Sequence, residues 1–243
     1  MTENNTPIAL VTGATDGIGK ETARQLASGG VHVIIGARNL EKGEGVLAEF
    51  KAAGLELEMV ELDVTSDVSV ENAARKIEAR HGRLDILVNN AGIALDRGPI
   101  SEMAVADFVM TYDVNVFGTF RAIKALLPLL RKSSRGRIVN VSSSLGSLAG
   151  MTDENSPYYN VVLPAYASSK SAINALTIHF ARELKDSGIK VNAVEPGLTA
   201  TRAVKLPGAQ PVDVGAESSV RYALIDDDGP TGGFFDRFGP YVW

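Results

Sequence analysis

The chain has 243 residues, 45% of them hydrophobic and 22% charged, a balance that suits one globular domain with a full core. A net charge of −5 with no basic tract removes the electrostatic drive toward nucleic acid or anionic membrane. With no cysteine there is no disulfide, thiolate metal site or cysteine nucleophile. The histidines His32, His81 and His179 are too scattered in sequence to read as a ligand cluster, so no metal is expected. The first residues, MTENNTP, lack an apolar signal core, and no apolar run approaches the ~20 residues that span a bilayer. A cytoplasmic protein with no membrane partner is the expectation.

Short β-rich runs alternate with helical segments. "IALVTG" reads as a buried strand, and "GKETARQLASGG" as a helix running into a glycine stop. "VHVIIGAR" is a second strand, followed by the helix "NLEKGEGVLAEFKAAG". "LELEMVELDV" is the third strand, and "SVENAARKIEARHG" is helical. "LDILVNNAG" is the fourth strand, a long helical region holds Asp107 to Arg131, and "GRIVNVSSS" is the fifth strand. A helix from about Pro164 to Ser187 precedes the sixth strand, "KVNAVEPG". "GGFFDRFGPYVW" supplies a last edge strand. Strands separated by helices need crossovers, so the expected fold is α/β: a single-domain, doubly wound (Rossmann) parallel sheet with helices on both faces, over residues 1–243. In such sheets ligands bind beyond the carboxyl ends of the strands. The unusual residues cluster there, in "TGATDGIG", "GARN", "LDV", "NNAG", "SSS" and "EPG".

The first of these, Thr12–Gly19, sets glycines at 13, 17 and 19 between a strand and a helix. Gly13 suits a tight turn, Gly17 a close backbone approach to a ligand, and Gly19 close helix–strand packing, with the helix N-terminus offering N–H groups to a pyrophosphate. The spacing departs from G-x-G-x-x-G, and alone it would also fit an ordinary glycine turn. An NAD site places an acid at the end of the second strand to bind the adenosine ribose. Here "IIGARN" has none and carries Arg38, which suits the 2′-phosphate of NADP(H), although a solvated loop arginine has the same sequence. Asp16 in the glycine loop adds negative charge and tempers that preference. Asp63 is a candidate for bonding the adenine amino group or, alternatively, an N-cap, a role Ser66 could also fill.

"TGATDGIG", "NNAG", Asn115, "NVSSS", "YASSK" and "PG" occur in the order seen in short-chain dehydrogenases/reductases, and the resemblance covers essentially the whole chain. The ending "GPTGGFF…YVW" is similar to the carbonyl-reductase-like branch. The resemblance implies an NADP(H)-dependent oxidoreductase that moves hydride between nicotinamide and a small carbonyl or alcohol substrate. It implies a catalytic set of Asn115, Ser143, Tyr166 and Lys170. It implies cofactor contacts at Gly13, Thr15, Asp16, Gly17, Ile18, Gly19, Arg38, Asp63, Val64, Asn90, Ala91, Gly92, Tyr166, Lys170, Pro196, Gly197, Thr199 and Thr201.

Residues four apart on a helix share a face, so Tyr166 and Lys170 can address one site. A free phenol has a pKa of ~10. A nearby ammonium and the positive nicotinamide would lower it. The resemblance makes Tyr166 the proton donor to the carbonyl oxygen, and Lys170 a holder of the nicotinamide ribose. It has Ser143 steady the developing alkoxide, with Ser144 the fallback because three serines adjoin, and Asn115 organise a water that relays protons to Lys170. Taken singly, each also reads as an ordinary helix, turn or surface residue.

Ser143 and Tyr166 lie 23 residues apart, more than is usual in the family. The added segment "GSLAGMTDENSPYYNVVLP" is either a substrate wall, with Met151, Tyr158 or Tyr159 in contact, or a surface bulge. Its position before the catalytic helix favours a monomer over a homodimer or tetramer. The short stretch after Pro196 suggests an open, tolerant pocket. Two alternatives are a catalytically silent NADP-binding regulator, against which both Tyr166 and Lys170 stand, and a nucleotide-sugar epimerase, for which too little chain follows the sixth strand.

Overall fold

The computed structural model describes residues 6–96 and 98–243; residues 1–5, part of the polar N-terminus on which the no-signal reading rests, lie outside the described residues. The apolar runs form seven strands: β1 (Ile8–Thr12), β2 (His32–Ala37), β3 (Glu58–Glu61), β4 (Ile86–Asn89), β5 (Arg137–Val141), β6 (Lys190–Val194) and β7 (Phe234–Phe235). Every neighbouring pair is parallel, in the order β3-β2-β1-β4-β5-β6-β7. The chain moves outward from β1 to β3, then returns to place β4 on the other side of β1. That reversal opens a crevice at the carboxyl ends of β1 and β4.

Alternation along each strand sorts its side chains onto two faces. Ile8, Leu10, Ile34, Leu87 and Ile138 join one buried cluster, and Ala9, Val11, Val33, Ile35, Val88 and Val139 join the other. The first face is covered by α3 (Asp67–His81), α5 (Gly118–Leu130) and α7 (Pro164–Glu183) through Ile77, Leu126 and Phe180. The second is covered by α1 (Gly17–Ser28), α2 (Leu40–Ala52) and α8 (Val212–Ala223) through Leu26, Phe50 and Tyr222. Burial on both faces explains why the central strands read as continuous apolar runs.

Three elements differ from their sequence outlines. The long third run shrinks to four residues, because β3 is an edge strand that pairs only opposite Ile34–Ala37. The helical region after β4 divides into α4 (Val105–Tyr112), one π-helical turn over Asp113–Phe117, and α5. The helix that begins at Pro164 is regular only to Glu183, and a 3₁₀ turn covers Lys185–Ser187. The segment between Ser143 and Tyr166 holds a 3₁₀ turn (Ser144–Gly146) and the short α6 (Leu148–Thr152). Among the described residues, no helix is long and apolar enough to cross a membrane.

Candidate active site

The glycine loop ends β1 and opens α1. Gly13 and Gly17 have φ of 63° and 54°, in the left-handed region that a side chain disfavours, and a Cβ on Gly13 would lie 2.9 Å from the Ala91 Cα. Asp16 caps α1, accepting from the Gly17 N–H at 2.8 Å, and pairs with Arg202 at 2.9 Å. The charge that argued against a phosphate is therefore offset. Thr15 and Ile18 are half-buried beside it, and Thr201 lies over the loop, its methyl carbon 3.2 Å from where a Gly17 Cβ would stand. Asn90 turns its amide inward, donating to the Thr12 and Gly13 carbonyls at 3.0 and 3.2 Å and filling the space beside Gly19. Its side chain braces the loop, which leaves the backbone of Asn90, Ala91 and Gly92 to face the crevice. Thr12 anchors this junction, its hydroxyl accepting from both the Asn90 and Ala91 N–H groups at 3.0 Å. Nothing but its place at a strand end marks Thr12 in the sequence.

At the end of β2, Arg38 is exposed and makes no ion pair among the described residues. Burial pushes the nearby Asp63 carboxyl up, but the Thr65 hydroxyl and N–H, with Arg38 and Arg121, outweigh it and hold it below its ordinary value. Ser66, not Asp63, caps α3. Val64 instead packs against Gly118, where a Cβ would come within 2.8 Å of it. This strip, with two left-handed glycines, a free helix N-terminus and an unpaired guanidinium, fits a dinucleotide carrying phosphate at both ends.

The reaction centre assembles where β5 and β6 end against α7. Tyr166 and Lys170 share a face of α7, the Nζ lying 5.4 Å from the phenol ring centroid and donating to the Val141 carbonyl at 2.7 Å. The Ser143 hydroxyl is hydrogen-bonded to the Tyr166 phenol. Ser142 bonds the Lys170 carbonyl instead, and the Ser144 backbone N–H goes to Glu195 at 2.8 Å, so of the three serines it is Ser143 that meets the phenol. The fully buried Asn115, in the π turn, accepts from the Ile93 N–H at 2.8 Å and donates to the Ile93 carbonyl and the Ser169 hydroxyl, each at 2.9 Å. A Cβ on Gly92 would stand 3.4 Å from its Oδ1 and 3.6 Å from Lys170 Nζ.

The electrostatics depart from the expected tuning. Burial and the Glu195 carboxylate push the Tyr166 phenol up to about 12, against which Ser143 pulls only part of the way. Burial lowers Lys170 to about 8, with Glu195 opposing. The lysine alone therefore does not lower the phenol, because desolvation outweighs an ammonium that is itself costly to charge. Glu195, which the sequence reading passed over, is 6% exposed and receives the Ser144 and Gly197 N–H groups, at 2.8 and 3.0 Å. Burial raises it in spite of those bonds. Only its position inside the apolar run "VNAVEPG" could have signalled it.

Gly197 has φ of 79°, and Gln210 folds back over Pro196. The Thr199 hydroxyl is held by the Gly197 carbonyl at 2.9 Å, within its own loop. Of the added segment, Tyr158 is half-buried and Tyr159 exposed. Tyr158 and Glu195 both bear on Tyr241, pushed up to about 12 mainly by burial, which brings the C-terminal segment to the same pocket. The histidines require a correction: His32 and His81 do converge, both on Glu58, because the fold sets the start of β2 beside the end of α3.

The profile of the short chain dehydrogenase family matches residues 7–210. The chain belongs to that family. This short-chain dehydrogenase is 37% identical over 239 residues to short-chain dehydrogenase anuI of Penicillium roqueforti, covering 91% of this chain and 94% of that one. It is 34% identical over 213 residues to a 3-oxoacyl-[acyl-carrier-protein] reductase of Synechocystis, covering 87% and 82%. Its fold superimposes on NADPH-bound carbonyl reductase from chicken fatty liver with a TM-score of 0.84 at 26% identity, over 98% of this chain and 99% of that one. As a short-chain dehydrogenase it is an NAD(P)-dependent oxidoreductase.

Proposed function

We propose that this short-chain dehydrogenase is an NADP(H)-dependent carbonyl reductase acting on small carbonyl or alcohol substrates. The observation that carries the reading is the Ser143–Tyr166–Lys170 cluster at the carboxyl ends of β5 and β6, in line with the glycine loop and an unpaired Arg38. When bound, the nicotinamide supplies or accepts the hydride. Tyr166 gives its hydroxyl proton to the carbonyl oxygen. A phenol near 12 is fully protonated at neutral pH and so is loaded for that step. Ser143 donates a hydrogen bond to the oxygen as its charge develops. Lys170 binds the ribose hydroxyls and supplies the compensating charge, and Asn115 fixes the Ile93 loop and α7 around them. Arg38 receives the 2′-phosphate. The NADP-bound and NADPH-bound structural neighbours, and the carbonyl reductase among them, support the cofactor and the reaction class.

The test follows reduced-nicotinamide absorbance with NADPH and NADH against aldehydes, ketones and quinones. Turnover with NADPH that falls about 10²–10⁴-fold in Tyr166→Phe, with cofactor binding retained, is the expected result. Equal turnover by the variant would sink the acid assignment. Arg38→Ala should weaken NADPH about 10–100-fold with little change for NADH, the value of a charged phosphate bond. A variant that loses both cofactors equally would assign Arg38 no part in the choice.

A further inference from the structure

A second cluster of chemistry-bearing side chains lies at the amino ends of β2 and β3, opposite the reaction centre. Glu58 is in register with Ile34, so His32, two residues earlier on β2, points to the same face of the sheet. That face carries Ile34 and is covered by α3 through Ala73 and Ile77. His81 stands one turn beyond Ile77 on α3 and returns to the same stripe. The three side chains therefore meet for reasons of sheet register and helix period.

They meet closely. His32 Nε2 is 2.9 Å from Glu58 Oε1 and His81 Nε2 is 3.2 Å from Glu58 Oε2. The ligand atoms all lie within 4.8 Å of one another, and the two rings are 5.0 Å apart. We propose that His32, Glu58 and His81 bind a zinc ion that staples β2, β3 and α3 together, independently of the reaction centre. Two imidazoles and a carboxylate are a set zinc accepts, at bonds of about 2.0–2.2 Å, which puts tetrahedral ligand atoms about 3.3 Å apart. The observed edges need shifts of a few tenths of an ångström. At 14–34% side-chain exposure the groups are held, yet open enough for a water to complete the coordination. Arg80 donates to Glu58 Oε2 at 3.2 Å, leaving Oε1 for the metal and steadying the carboxylate from outside. Its charge opposes the ion, but at 60% exposure it is well screened. Only one other histidine, His179, is present in the chain. Affinity should rise with pH as the imidazoles lose their protons around 6.5.

The test titrates ZnCl2 into untagged, chelator-stripped protein by calorimetry and follows the unfolding midpoint. The expected result is one zinc per chain and a midpoint raised by roughly 5–10 °C at a hundredfold excess over the dissociation constant. His32→Gln and His81→Gln should each bind at least tenfold more weakly, while His179→Gln binds as the parent does. No saturable binding by the stripped parent, or unchanged binding by the double His32→Gln/His81→Gln variant, overturns the proposal. Should the variants fail to fold, cobalt on the parent protein decides. The intense visible bands of a low-coordinate site uphold it, and the pale spectrum of the hydrated ion refutes it.

Discussion

Lys170 is an ammonium group placed where burial works against it. Its folded-state value of about 8 lies below the 10.5 of a free lysine, so below pH 8 the fold carries the whole cost of charging it, at most about 3 kcal/mol. As pH rises from 8 to 10.5 the unfolded chain holds more protons than the folded one, and that cost is relieved. Lys170→Met should therefore abolish turnover yet raise stability at neutral pH. The net gain is up to about 2 kcal/mol once the lost bond to the Val141 carbonyl is deducted. In denaturant titrations the excess over the parent should shrink between pH 8 and 10.5. A variant that is less stable at pH 7 would show that the ammonium is solvated. Glu195 acts on the same pair: its charge raises both Tyr166 and Lys170. Glu195→Gln keeps the shape and should move the ascending limb of the alcohol-oxidation profile to lower pH, since phenolate then forms more readily. Its own value is raised by burial, so the folded protein binds its proton more tightly than the unfolded chain does. Stability of the variant relative to the parent should accordingly grow as pH climbs from about 4.5. An unshifted limb would mean Glu195 only ties the Ser144 and Gly197 loops.

At the scale of elements, α7 is the mount for Tyr166 and Lys170, and its start is secured from a distance. Pro164 opens the helix, and no side chain of its own caps it. Asp96 does so from the loop after β4, accepting from the Ala165 and Tyr166 N–H groups at 2.7 and 3.2 Å. A carboxylate there also meets the positive end of the helix. Asp96→Ala should cost about 1–2 kcal/mol, the usual value of a lost cap, and lower kcat more than it raises the KM for cofactor. Asn should restore part of both. Unchanged kcat in a destabilised variant would confine Asp96 to stability. Further along, a buried chain from Asn89 to Asn140 to Thr177 fixes β4, β5 and α7 to one another at 2.8 and 2.9 Å.

At the scale of the molecule, the sheet was legible because its central strands are apolar runs closed by turn residues, and the alternation in Ile8–Thr12 already divides the two faces. Likewise, the residues that meet at the carboxyl ends were legible from their order at successive strand ends. What was not legible depends on partners far away in the chain. The π turn has no composition of its own, and Asn115 reads the same in an α-helix. Thr12, Asp96 and Glu195 are common residue types whose importance lies in the groups they reach. The phenol's high value came from desolvation, which the i, i+4 spacing of Tyr166 and Lys170 does not encode. The two histidines met Glu58 only once sheet register was known.

The π turn at Asp113–Phe117 also makes chain length at that point a matter of phase. It holds one residue more than an α turn would. Deleting a single residue there would advance everything downstream by about 100° around the helix axis. Gly118 would swing away from Val64, and the buried stripe of Ala122, Ile123 and Leu126 would face the wrong way. Such a deletion cannot be absorbed locally, because α5 is pinned along its length. The largely exposed stretch from Thr152 to Val162 has no such phase to keep. Across lineages, insertions and deletions should accumulate in the second place and be purged from the first.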